Sequence, residues 1–184
     1  MLPFISKLAL QKSAPKKRVQ FSIAKGIAAV SAADIIPEEG EEVRLISPAG
    51  GFSSACVVAA IAKRRKIDAI HISTLRVGKK EMQSLAALRI PEVSITCGGI
   101  ALENAAKYDY AQQLSACAKR FGWKVSYRRN HSKVILIRSG EAKIVIETSS
   151  NYNENPQIEQ FCISNSAEVY DFYLAEMQAL GIWE

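Results

Sequence analysis

Asn130-His131-Ser132-Lys133-Val134-Ile135-Leu136-Ile137, closed by Lys143-Ile144-Val145-Ile146-Glu147-Thr148-Ser149-Ser150-Asn151, is the stretch whose reading decides the fold. Four consecutive apolar residues after Lys133 mark a strand buried on both faces, and a second apolar run follows the turn-forming Arg138-Ser139-Gly140-Glu141-Ala142. The spacing predicts an antiparallel hairpin. On a strand, residues two apart share a face, so His131 and Lys133 present an imidazole and an ammonium side by side where the strand begins. The hairpin returns Thr148, Ser149 and Asn151 to that same end. A nucleophile or base, a fixed cation, and hydroxyl and amide donors then stand together, which are the groups phosphoryl transfer needs.

Outward from the hairpin the elements alternate. Strands are predicted over 43–47, 67–73, 93–96, 123–127 and 160–163, and helices over 54–65, 79–88, 110–121 and 167–180. Ser53 is the expected N-cap of the first of these helices, Gly122 the C-terminal stop of the third, and Ser164 or Ser166 the N-cap of the last. A short Ala-rich helix fits 23–33. This order predicts an α/β domain: a mixed central sheet flanked by helices on both faces. Such sheets collect ligands at strand ends and in the loops that leave them.

Composition narrows the class. The chain has 184 residues, 48% of them apolar, enough for one domain with a core and too apolar for a disordered chain. No apolar run approaches the ~20 residues of a membrane span, and residues 1–18 lack the long apolar core of a secretory signal. Cys56, Cys97, Cys117 and Cys162 are far apart and there are only two histidines, so a structural zinc site is not expected. Reduced thiols in a cytoplasm are the plain reading. The net charge of +6 is concentrated at the N-terminus: Lys7, Lys12, Lys16, Lys17, Arg18 and Lys25 are uncompensated, and the remainder balances. The expected organisation is a basic arm over 1–20 and one domain over 21–184. Such an arm is either a nucleic-acid contact or a solvated tail.

His131-Ser-Lys133, an apolar strand and then Ser149-x-Asn151 resemble the phospholipase D superfamily, whose signature is H-x-K-x4-D followed by G-S-x-N. The last third of the chain resembles most the small bacterial endonucleases with one motif per chain, and the order of the preceding strands and helices extends the superfamily resemblance to roughly residues 40–184. The resemblance implies a catalytic set of His131, Lys133, Ser149 and Asn151, with Glu159 as the downstream carboxylate. It implies a metal-free reaction needing no cofactor: one histidine attacks phosphorus, and a second protonates the leaving oxygen and later activates water. Because one H-x-K is present, the full site requires a homodimer that brings two copies of His131 across one groove. The expected activity is that of a nuclease or nucleic-acid phosphodiesterase acting on DNA or RNA, with no membrane partner. The alternative is a non-catalytic nucleic-acid-binding module, and a lipid-active phospholipase ranks third.

Two positions depart from the signature. Arg138 occupies the motif Asp position, and Thr148 the motif Gly. Arg128 and Arg129 are candidate phosphate contacts, although exposed strand-end arginines read as well. Ser53, in the turn Gly50-Gly51-Phe52-Ser53, is a candidate substrate contact beside the groove, because a turn before a helix can hold an anion. That turn lacks both P-loop and dinucleotide spacing. His71 alternates with small residues along one strand face and reads as a satisfied structural histidine. The basic cluster Lys63-Arg64-Arg65-Lys66 suits a helix C-terminus and needs no ligand.

Overall fold

The computed structural model describes residues 19–23, 35–48, 51–99 and 110–183. Most of the proposed basic arm and nearly all of the proposed 23–33 helix lie outside these residues. Twelve elements are described: β1 (Val19–Ile23), β2 (Glu42–Ser47), α1 (Ser54–Ala62), β3 (Ala69–Thr74), α2 (Lys79–Ala87), β4 (Glu92–Gly98), α3 (Tyr110–Phe121), β5 (Lys124–Arg128), β6 (Val134–Ser139), β7 (Ala142–Thr148), β8 (Glu159–Asn165) and α4 (Ala167–Ala179).

The strands form one mixed sheet in the order β1-β2-β8-β7-β6-β3-β4-β5. Six strands run one way, and β6 and β8 run against them. Helices cover both faces, as the alternation of elements predicts. Period-two burial explains how. In β6, Ile135 and Ile137 join the core beneath α1, α2 and α3, while Val134 and Leu136 join the core beneath α4. β7 divides likewise, with Ile144 and Ile146 on the first face and Val145 on the second. A strand so placed cannot carry a polar side chain cheaply on either face, hence the unbroken apolar run.

Individual elements follow local rules. Gly122 stops α3 at φ 72°, a left-handed conformation that a side chain disfavours. Gly140, at φ 57°, opens the two-residue turn between β6 and β7, where a primed turn requires positive φ. Ser166 caps α4, its hydroxyl accepting from Val169 N–H. α4 is then pinned across its face. Lys143 reaches Asp171 at 2.7 Å, Tyr173 donates to Glu147 at 2.6 Å, and Arg128 Nε donates to the Gly181 carbonyl at 3.1 Å.

Four sequence expectations need correction. β1 replaces what read as tail and helix start: Val19–Ile23 pairs in parallel with β2, a partnership only tertiary context supplies. α1 ends at Ala62 rather than 65, so Lys63 is its C-cap and Arg64 and Arg65 lie beyond it. Ser53 has the extended backbone of an N-cap but makes no side-chain cap bond; its hydroxyl lies 3.5 Å from Cys56 Sγ. His71 is buried and its ring is tilted against that of Trp183, with centroids 5.6 Å apart, yet its Nδ1 has no hydrogen-bond partner among the described residues. Burial holds its pKa below the usual imidazole value.

Candidate phosphodiester site

The C-terminal ends of the six co-directional strands lie on the same edge of the sheet as the starts of β6 and β8. Register places Ser73 opposite Val134, Val134 opposite Glu147, Thr148 opposite Phe161, and Ser47 opposite Glu159. The hairpin therefore delivers His131, Lys133, Ser149 and Asn151 to one edge, and β8 adds Glu159. Residues 129–133 lead into β6 there, and their shape is set by Asn130.

Asn130 is buried, and its side chain closes a ring. Its Nδ2 donates to Ser73 Oγ at 2.9 Å and is aimed at the carbonyls of Thr74 and Thr96, each at 3.3 Å. Its Oδ1 accepts from Ser132 N–H at 3.0 Å and from Ser132 Oγ at 2.7 Å. Ser132 has one hydroxyl proton and gives it to Asn130. The 2.6 Å contact between Ser73 and Ser132 must therefore have Ser73 donating. This ring ties His131, between Asn130 and Ser132, to the ends of β3 and β4. Sequence reasoning gave Asn130 and Ser132 no role. Their only signal was an amide and a hydroxyl flanking an exposed histidine.

Lys133 Nζ lies 3.2 Å from His131 Nδ1 and 2.8 Å from the His131 carbonyl. An ammonium only donates, so Nδ1 accepts, and the proton of a neutral His131 sits on Nε2. Burial pulls the Lys133 pKa down, and the charge of Glu159 opposes that shift. Glu159 is itself buried and held by two donors, the Ser149 hydroxyl and the Asn155 amide. Ser149 Oγ also accepts from Gln160 N–H at 3.1 Å. Thr148 is braced from three sides. Its N–H donates to the Lys133 carbonyl at 3.1 Å, its hydroxyl donates to the Gln160 carbonyl at 2.7 Å, and that hydroxyl accepts from Ser150 N–H at 2.9 Å.

The other candidates are placed as follows. Asn151 Oδ1 lies 3.5 Å from Thr74 Oγ1, whose single proton goes to the Arg76 carbonyl at 3.0 Å, so Asn151 is near the end of β3 without a firm bond there. Ser53 lines a cleft of about 390 Å³ with Phe52, Cys56, Glu154 and Asn155, and Asn155 links that cleft to Glu159. α1 begins beside the site, Ser54 Oγ donating to the Ser150 carbonyl at 3.2 Å. Arg128 is engaged with the end of α4, whereas Arg129 is exposed next to Asn130. Arg138, at the motif Asp position, lies at the far end of β6 and pairs with Glu92 at 3.3 Å. That departure is remote from His131 and Lys133. The Thr148 departure is local, its hydroxyl spent on the turn. Among the described residues no three His, Cys, Asp or Glu side chains gather as a metal site, and no helix is long and apolar enough to cross a membrane.

No protein-family model matches the chain, and no curated protein matches it. Solved structures do. A polyphosphate kinase from Porphyromonas gingivalis superposes with a TM-score of 0.55 at 17% identity, over 78% of this chain and 26% of that one. The chain thus spans about a quarter of the kinase's length. Identity this low speaks for fold, and the kinase has a phospholipase D fold. The class is therefore an α/β protein with a phospholipase D-like mixed sheet.

Proposed function

We propose that this chain is half of a metal-independent phosphodiesterase, a nuclease acting through a phosphohistidine at a site shared by two chains. The observation that carries the reading is the His131–Lys133 pair, 3.2 Å apart and backed by the Glu159–Ser149 pair at the same sheet edge. One copy of His131 attacks phosphorus through Nε2, forming the N–P bond as the P–O bond breaks. The partner's histidine protonates the leaving oxygen, then takes a proton from the water that releases the phosphoryl group. Nε2 can attack only when the imidazole proton is on Nδ1, which Lys133 occupies. An incoming phosphate draws the ammonium to its non-bridging oxygens and frees Nδ1, and the imidazole proton then leaves Nε2 to solvent as Nδ1 takes one up. Substrate binding and nucleophile activation are then one event.

The second reading, a nucleic-acid-binding module without turnover, draws on Thr148. A side chain stands where the signature has glycine, and its hydroxyl braces the turn rather than the substrate. A plasmid cleavage assay in EDTA, run beside a binding assay on wild type, His131→Ala and Lys133→Ala, separates the two. The enzyme reading expects cleavage that His131→Ala abolishes. Absent cleavage with DNA affinity weakened only by Lys133→Ala establishes the module. EDTA-sensitive cleavage that survives His131→Ala rejects both.

A further inference from the structure

We propose that the β3–β4–β5 part of the sheet edge opposite the candidate site, away from the acidic residues that precede β2, is a second binding surface, built for single-stranded nucleic acid. α1, α2 and α3 all begin near the candidate-site edge and end at the opposite one, so the connectors 63–68, 88–92 and 119–124 gather there. These connectors carry eight basic side chains and two acidic ones. Lys63, Arg64, Lys66, Arg89, Lys119 and Arg120 are exposed. Both acids are already engaged: Asp68 accepts from Gly140 N–H at 2.8 Å and pairs with Lys66, and Glu92 pairs with Arg138. Helix dipoles account for Lys63, the C-cap of α1, and for Lys119 and Arg120, and leave the remaining five without that explanation. Lys119 and Arg120 lie in the last turn of α3, but α1 and α2 have no basic residue in theirs. Arg89 follows the C-cap of α2 at φ 52°, where glycine is the favoured residue. A strained backbone there holds a guanidinium at the edge.

Between α2 and α3 the same edge opens into a groove of about 520 Å³, lined by Ala86, Ala116, Cys117 and Phe121 and rimmed by Arg89 and Arg120. Phe121 is 43% exposed, with Trp123 stacked beside it at 5.6 Å and Arg120 at 5.1 Å from its ring. Phe121 stays partly exposed between Trp123 and Arg120, so its ring offers surface to an unstacked base once the Arg120 guanidinium turns to a phosphate, and the surrounding cations take the other phosphates. A duplex, with its bases stacked away, has no use for the ring.

This surface does not depend on catalysis, so its test is binding. The full chain is titrated with a labelled 20-nucleotide oligothymidylate at several salt concentrations, and with heparin as a polyanion without bases. Removing four exposed cations in K63A/R89A/K119A/R120A should flatten the salt slope by about 3, at ~0.7 per single-strand phosphate. Phe121→Ala should weaken oligothymidylate binding about tenfold and leave heparin unchanged. Because Phe121 packs on Trp123, Phe121→Leu repeats the test with apolar volume kept and the ring removed. Both shifts should also appear in a Lys133→Ala background, which separates this surface from the candidate site. An unchanged slope in the quadruple variant overturns the proposal. So does equal weakening of heparin and oligothymidylate by both Phe121 variants, or no effect of either on oligothymidylate.

Discussion

His131 stands exposed between two residues that cannot move independently of the sheet, and its Nδ1 faces an ammonium. His131→Asn should abolish turnover while preserving the fold, because an amide neither attacks phosphorus nor relays a proton. Lys133→Ala should lose charge stabilisation in the transition state, of order 10²–10³ in kcat by comparison with deleting one oxyanion donor. Steady-state kinetics on a simple phosphodiester with EDTA present measures both. Glu159 gives a sharper expectation. Its carboxylate raises the Lys133 pKa against burial, which lowers it. Glu159→Gln removes the opposing charge, so the ammonium deprotonates at lower pH and the alkaline limb of kcat/KM should move down. An alkaline limb that stays in place or moves up would detach Lys133 from that limb. Much of this site was legible from spacing, because a two-residue interval and a hairpin return are local facts. The Asn130 ring was not, because Ser73, Thr74 and Thr96 come from strands that the hairpin's own sequence does not name.

At the scale of elements, the 130–133 segment and α4 have identifiable anchors. Asn130→Asp puts an acceptor where Nδ2 faces three oxygens, so a buried donor is lost and like dipoles oppose. Urea denaturation should show a loss of roughly 2–3 kcal/mol, within the range for a buried polar group stripped of its partner. Turnover should fall with it, since His131 loses its mount. Ser166→Ala should cost about 1 kcal/mol by uncapping α4. Leu136→Ala, in the core between β6 and α4, should cost about 2–5 kcal/mol. Element boundaries depend on tertiary context more than element types do. The basic run after Ala62 read as helix by pattern, but the chain must leave α1 there to enter β3. Ser53 looked like a cap by residue type, but its hydroxyl lies beside Cys56 instead.

At the scale of the molecule, His71 couples stability to pH. Burial lowers its folded-state pKa, so the unfolded chain binds the extra proton first. Stability should be intact above the unfolded value of about 6.5 and fall as pH drops through it toward the folded value. Urea midpoints at pH 7.5 and 5.5 should differ in wild type and converge in His71→Leu. The two-chain site makes a second prediction: light scattering at tens of micromolar should give a dimer. A strict monomer there would remove the second histidine and with it the proposed mechanism.

The sequence alone determined what is periodic and local: the buried hairpin, the alternation of strands and helices, the stops at Gly122 and Gly140, and the pairing of His131 with Lys133. These follow from short-range sterics and from which face of an element must leave water. Tertiary structure decided what depends on distant partners. It placed Val19–Ile23 as an edge strand beside β2 and turned Asn130 into the keystone of a ring that joins β3 and β4 to the segment entering β6. It also brought three separate basic connectors to one edge, because helices that start together over a twisted sheet must end together on its other side.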